Sequence, residues 1–139
     1  MKILFMCVAN AARSQMAEGL ARHLFANHIE VQSAGSQPKT VHPLAKLALA
    51  EIGIDISSHH SKSCDQLSVE FGNDLDYLVT LCAEEVCPVT SFKTAKKVHW
   101  PLPDPASETA TEDQQMDAFR KTRDEIKKRI EAFALEFRL

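Results

Sequence analysis

Two hydrophobic rhythms alternate along this chain, and the alternation constrains its fold more than any other feature. Short apolar runs, KILFM at residues 2–6, IEVQS at 29–33, LDYLVTLC at 75–82 and a weaker AKKVHW at 95–100, read as strands. Between them the apolar residues recur every three or four positions. Met16, Leu20, His23 and Leu24 then share one helical face, as do Leu44, Leu47, Ala48 and Ile52 in a segment that has Pro43 near its start and Gly53 as its stop. After a Pro/Ser/Thr-rich stretch at 101–113, Phe119, Ile126, Ile130, Phe133 and Phe137 mark a long amphipathic closing helix. Strands alternating with helices predict an α/β fold: a parallel sheet with right-handed crossovers and helices on both faces. Ligands in such sheets collect beyond the carboxyl ends of the strands. Cys7, Ser33, Cys82 and Trp100 all fall at or near such ends, so one rim is expected to carry the chemistry. With no internal repeat and no linker composition, residues 1–139 are expected to form one domain.

The balance of 45% hydrophobic and 25% charged residues is that of an ordinary globular protein, which needs neither a disulfide nor a metal to fold at this length. A net charge of -3 argues against nucleic acid or an anionic membrane as the main partner, so any affinity for anions must be local. Lys2, the following apolar residues and the triplet Ala9-Asn10-Ala11 imitate a secretory signal, but Arg13 arrives too soon for one. A cytoplasmic monomer is expected. In that reducing compartment the 4 cysteines are free for catalysis or burial rather than stapling.

The stretch CVANAARS places a thiol at the end of a strand and an arginine where a helix begins. Val8, Ala9, Asn10, Ala11 and Ala12 form a short turn whose small residues let the backbone curl, so that its N–H groups aim inward as an anion nest beside the positive end of the helix. Arg13 adds a planar fork of donors. The same field favours thiolate over thiol at Cys7 and so makes its sulfur a nucleophile. Ser14 is placed to donate to the sulfur or to a ligand, and Asn10 to bond across the loop and hold its backbone shape.

The segment CVANAARSQMAEG, together with Ser33-Ala34-Gly35, GIDISSHHSK at 53–62, LVTLC, HW followed by DPA, and the final RDEIKKRIEAF, resembles the low-molecular-weight tyrosine phosphatase superfamily. The Arg-Ser-Gln-Met-Ala-Glu-Gly continuation resembles specifically its arsenate reductase branch. The resemblance implies a flavodoxin-like, four-stranded domain that binds arsenate in the Cys7 loop, with phosphate or sulfate as analogues, and reduces it to arsenite. No tightly bound cofactor and no metal are expected, and the resemblance implies an external thiol reductant: thioredoxin, or a glutaredoxin or low-molecular-weight thiol system.

A phosphatase needs one thiolate and one acid, whereas a reductase must also move two electrons and needs further thiols, which LCAEEVCP supplies as Cys82 and Cys87. The implied order is attack by Cys7 on arsenate, by Cys82 on Cys7, and by Cys87 on Cys82, the last disulfide passing outward to the reductant. Members of the thioredoxin-coupled type have a longer insert between these two cysteines. Along an intact helix, five residues mean a rise of about 7.5 Å and a rotation of roughly 140°, so the two thiols would point apart. A mobile loop or frayed helix over residues 82–90 is therefore expected; a rigid helix would favour a small thiol as reductant. Zinc is not expected, since CxxxxC is not a usual ligand spacing. Cys64 is expected to be a bystander.

Protonating a departing oxygen calls for a carboxylic acid, and Asp104, held between Pro103 and Pro105, is the candidate. Ala106 and Ser107 follow where phosphotyrosine-specific members commonly have an aromatic residue. In some reductases of the family, residues matching Asn10, Glu18 and Ser33 help hold a potassium ion behind the loop, and a further carboxylate falls where this chain has Lys62. The Lys62 ammonium is then expected to pair with Glu18 in place of the metal, against the plainer reading of a surface lysine. His59 and His60 are expected to serve the loop by hydrogen bonding, and Trp100 to pack at the end of the sheet or line the mouth of the site. Arsenate reduction leads; a low-molecular-weight tyrosine phosphatase is the alternative, and an oxyanion or metal sensor a third reading that leaves Arg13 and Asp104 idle.

Overall fold

The computed structural model describes residues 1–25, 28–82, 95–106 and 110–138. Four parallel strands, β1 (Lys2–Cys7), β2 (Glu30–Gly35), β3 (Tyr77–Cys82) and β4 (Lys96–Leu102), form one sheet in the order β2-β1-β3-β4. The helices are α1 (Arg13–Phe25), α2 (Pro43–Ala50), the short α3 (Val69–Asn73) and α4 (Glu112–Phe137), with a single 3-10 turn at Cys64–Gln66. No helix among the described residues is long and apolar enough to cross a membrane.

Alternation along the central strands sorts the core into two layers. Ile3, Phe5, Val79 and Leu81 pack beneath α1, α2 and α4 with Met16, Leu20, Ala45, Leu49, Phe119, Ile126 and Ile130. Leu4, Met6 and Leu78 face the other way, onto Phe71 of α3 and Leu75. Local chemistry sets the helix starts. A reciprocal Thr111–Gln114 capping box and two acidic residues open α4, and Ser68 caps α3 by accepting from Phe71 N at 3.1 Å.

The helical faces differ in part from the spacing rule. On α1 the buried apolar residues are Met16, Ala17, Leu20, Ala21 and Phe25, while His23 and Leu24 lie outside. Ala17 and Ala21 make up part of this buried face, which a count of large side chains does not register. On α2 the buried residues are Ala45, Ala48 and Leu49, whereas Leu47 and Ile52 are exposed. PLAKLALA is so evenly apolar that its period leaves the phase undetermined. Two strands run farther than expected: β2 ends at Gly35 rather than Ser33, and β4 at Leu102 rather than Trp100. Trp100 lies against Phe5 and Phe133, each with ring centroids 6.2 Å apart, and so belongs to the packing under α4.

Candidate active site

β1 delivers Cys7 as its last residue, and α1 begins six residues later at Arg13. Between them the loop carbonyls are taken up by the segment that follows β2: Gln37 N donates to Val8 O, Lys39 N to Ala9 O and His42 N to Ala11 O, each at 2.9 Å. With these carbonyls turned outward, the loop's own N–H groups are left for the concave side, where the N-terminus of α1 adds its partial positive charge.

Asn10 is the hinge of this shape. It is fully buried at φ 48°, in the left-handed region that asparagine tolerates better than most residues. Its Oδ1 accepts from Gln15 Nε2 and Lys62 N, both at 3.0 Å, and its carbonyl accepts from Ser61 Oγ at 2.7 Å. Its Nδ2 donates to Ser14 Oγ at 2.7 Å, and that oxygen lies 2.9 Å from Cys7 Sγ. Because Ser14 accepts from Asn10, its hydroxyl hydrogen is available to point at the sulfur. Arg13 is buried and donates from Nη1 to Leu102 O at 2.9 Å, so the end of β4 orients the guanidinium. Asp104 sits two residues beyond and accepts from Ala106 N at 3.0 Å in a tight turn. Cys7, Arg13, Lys39, His42, Asp104 and Gln115 line one cleft of about 520 Å³.

Behind the loop, Glu18 is 3% exposed and surrounded by donors. Ser33 Oγ donates to its Oε1 at 2.9 Å, Lys62 Nζ stands 3.5 Å away, His59 Nδ1 is at 3.2 Å and Arg22 Nε at 3.6 Å. Lys62 is itself buried, so the structure brings Asn10, Glu18, Ser33 and Lys62 into one cluster beneath the nest. Burial pushes the His59 ring's pKa below its ordinary value against the pull of Glu18, with the charges of Arg22, Lys62 and His60 acting in the same direction as burial.

Cys82 ends β3, beside β1, with Met6 paired to Thr80 and Cys82 paired to Leu102 across a register shift. It is buried. Strand alternation assigns Cys7 to the face of Phe5 and Cys82 to the face of Leu78. Of the segment 82–90 expected to be mobile or frayed, Cys82 is the last residue of β3, and residues 83–90 with Cys87 lie outside the described residues, as does Ser107. Cys64 is away from the nest: its Sγ is 3.7 Å from Met6 Sδ on the α3 face, and burial, with Asp65 beside it, pushes its thiol's pKa up. Among the described residues no three His, Cys, Asp or Glu side chains gather as a metal site.

Three participants have no role of their own in the sequence reading. Gln15 ties Asn10 to His60 O at 3.1 Å, Gly35 leaves room for the loop, and His42 joins the loop to α2. Gln15 and Gly35 lie within the segments RSQMAEG and Ser33-Ala34-Gly35 that carry the family resemblance, and the signal for His42 is its place directly before a helix-starting proline.

The comparisons agree with this geometry. An arsenate reductase of Halalkalibacterium halodurans is 43% identical over 95% of this chain and 94% of its own length. A solved structure described as an arsenate reductase in the phosphate binding state superposes with a TM-score of 0.82 at 34% identity, covering 97% of both chains. A thioredoxin-dependent arsenate reductase of Corynebacterium glutamicum matches 99% of this chain and 61% of its own, with a TM-score of 0.73 at 30% identity. The family described as low molecular weight phosphotyrosine protein phosphatase matches residues 2–138, and the chain belongs to that family.

Proposed function

We propose that this protein is a thiol-dependent arsenate reductase. The observation that carries the reading is the Asn10–Ser14–Cys7 hydrogen-bond chain, which aims a hydroxyl at a sulfur lying in one cleft with Arg13 and Asp104. Arsenate seats in the nest, its charge matched by loop amides and the Arg13 guanidinium. The Cys7 thiolate attacks arsenic, and the departing oxygen takes a proton from Asp104 and leaves as water. Cys82 then attacks the Cys7 sulfur. The electron pair of the S–As bond stays on arsenic, which departs as arsenite, and a Cys7–Cys82 disulfide remains. Attack by Cys87 on Cys82 frees Cys7, and two electrons from an external thiol reductant, thioredoxin or a smaller thiol system, reopen the Cys82–Cys87 bond.

Because the pleat assigns Cys7 and Cys82 to opposite faces, the second step requires the end of β3 to unwind, next to the register shift at Thr80–Cys82. No tightly bound cofactor takes part in this scheme, which runs in a monomer in a reducing cytoplasm. The phosphatase alternative would use Cys7, Arg13 and Asp104 alone. It is disfavoured by Ala106 and Ser107, which follow Asp104-Pro105 where phosphotyrosine-specific members commonly have an aromatic residue. Single-turnover trapping of disulfides after arsenate addition, mapped by mass spectrometry, tests the reading. A Cys7–Cys82 link is expected, and it should vanish together with arsenite formation in Cys82→Ser while aryl phosphate hydrolysis survives. Undiminished arsenite formation by Cys82→Ser would overturn it.

A further inference from the structure

We propose that His42 is a substrate-binding residue of this site: a neutral imidazole, locked in one tautomer, whose Nε2–H donates to the outward-facing oxygen of the bound oxyanion, across the cleft from Asp104. The inference deepens the arsenate reductase reading and rests on it.

His42 is the N-cap of α2, and its Nδ1 accepts from Leu44 N at 3.1 Å. A ring nitrogen that accepts carries no hydrogen, so the neutral ring has its proton on Nε2. The ring lies against Phe119, with centroids 4.7 Å apart and planes tilted by 37°. Cap and ring contact together fix its orientation. Its main-chain N–H donates to Ala11 O at 2.9 Å, so the imidazole is also anchored to the anion loop itself. His42 lines the cleft with Cys7, Arg13, Lys39 and Asp104, and burial outweighs the pull of the Asp104 carboxylate to keep its pKa below the ordinary value.

The choice of residue is telling. An N-cap needs only a short acceptor, which Ser, Thr, Asp and Asn provide best. A ring at that position satisfies the same main-chain donor with one nitrogen and keeps a second nitrogen on its far side, a separate donor that Ser, Thr and Asp lack and that reaches farther from the backbone than the amide nitrogen of Asn. In the seated oxyanion the loop amides and Arg13 serve the oxygens nearest the floor. The oxygen opposite Cys7 points away from the floor, and the polar residues that line the cleft besides Cys7 and Arg13 are Lys39, Thr40, His42, Asp104 and Gln115. His42 binds that oxygen as a donor, and Asp104 supplies the proton; no proton leaves the ring.

The test uses inorganic phosphate, which reports binding without turnover. In His42→Ser the hydroxyl keeps the cap to Leu44 N and removes the Nε2 donor; His42→Ala removes both. Calorimetry at pH 7.5 is expected to give a phosphate Kd raised about tenfold in His42→Ser, the loss expected for one hydrogen bond to a charged ligand, with thermal stability near that of the parent. Long-range proton–nitrogen spectra of the unmodified protein are expected to show His42 as the Nε2–H tautomer and its Nε2 resonance moving on phosphate addition. Parental phosphate affinity in His42→Ser, or a His42 resonance unmoved at saturating phosphate, overturns the proposal; the titration of the unmodified protein decides the matter even where a variant does not fold. A protein that binds phosphate through His42 yet makes no arsenite would refute the reductase reading and leave this one standing.

Discussion

Gly35→Ala tests how the sheet shapes the anion loop. Gly35 stands opposite Cys7 in the β1–β2 register and donates to Lys62 O at 2.9 Å, so it is held from both sides. A Cβ added there would lie 2.9 Å from Asn10 N and 2.9 Å from Cys7 O, and closer still to Val8 O. Comfortable separations for such contacts begin at roughly 3.5 Å, so the loop or the strand must yield by at least about half an ångström. All three obstructing atoms belong to the main chain, and no rotamer change relieves them. Overpacking of this kind costs about 1–3 kcal/mol of stability. In the proposed active site, displacing the Cys7–Arg13 loop by up to about 1 Å is expected to lower turnover on the order of 100-fold. The assay pairs urea denaturation with phosphate calorimetry and thiol-dependent arsenite formation. Gly53→Ala is the control: its φ of 81° makes alanine cost about 1 kcal/mol, yet a Cβ there meets nothing within 4 Å, so function should persist. If Gly35→Ala kept parental phosphate affinity and turnover, close approach of β2 would not be what shapes the nest.

Asp104→Asn is expected to lower arsenate turnover by about 10²–10⁴-fold with little change in phosphate affinity; an unchanged rate would remove Asp104 as the acid. Lys62→Met leaves the buried Glu18 carboxylate without its ammonium and should destabilise the fold by roughly 3 kcal/mol, partly restored by potassium in a melting experiment. Parental activity should be indifferent to potassium, and a steep rise would contradict the pairing. The pKa values of His42 and His59 are both lowered in the fold, so the unfolded chain takes up protons first as pH falls through about 6.5. Stability should therefore decline from that point toward the lower folded values. A second decline is expected below about pH 4, where Glu51 and Asp55, whose pKa values are lowered by hydrogen bonds from Arg120 and Ser57, become protonated in the unfolded chain. Melting temperatures that stay flat between pH 7 and 5 would refute the assignment of the histidines.

The central strands β1 and β3 could be read in advance because they are apolar runs set by burial on both faces, whereas the edge strand β4 is largely exposed and shows a weaker pattern. The thiol, guanidinium and carboxylate of the candidate site were equally visible, since each is a chemically distinctive side chain at a strand end or in a constrained turn. Less visible was what the main chain does. The bonds from Gln37, Lys39 and His42 to loop carbonyls leave no trace in side-chain identity, and the obstruction at Gly35 depends on how closely two strands lie. The phases of α1 and α2 differ from the spacing of their large apolar residues because alanines make up much of the buried faces. Gln15 belongs to the segment that carries the family resemblance, but its bonds join Asn10 to His60, a contact 45 residues away that no local pattern encodes.

The three outward-turned carbonyls of the anion loop carry a consequence for selectivity. A receptacle whose shape is completed by its own neighbours, before any guest arrives, is cut to a tetrahedron rather than to an element. Phosphate and arsenate present nearly the same tetrahedron, so phosphate should compete at the threshold, and discrimination must come afterwards: the central atom has to accept an electron pair as the sulfur bond breaks, which arsenic does readily and phosphorus does not.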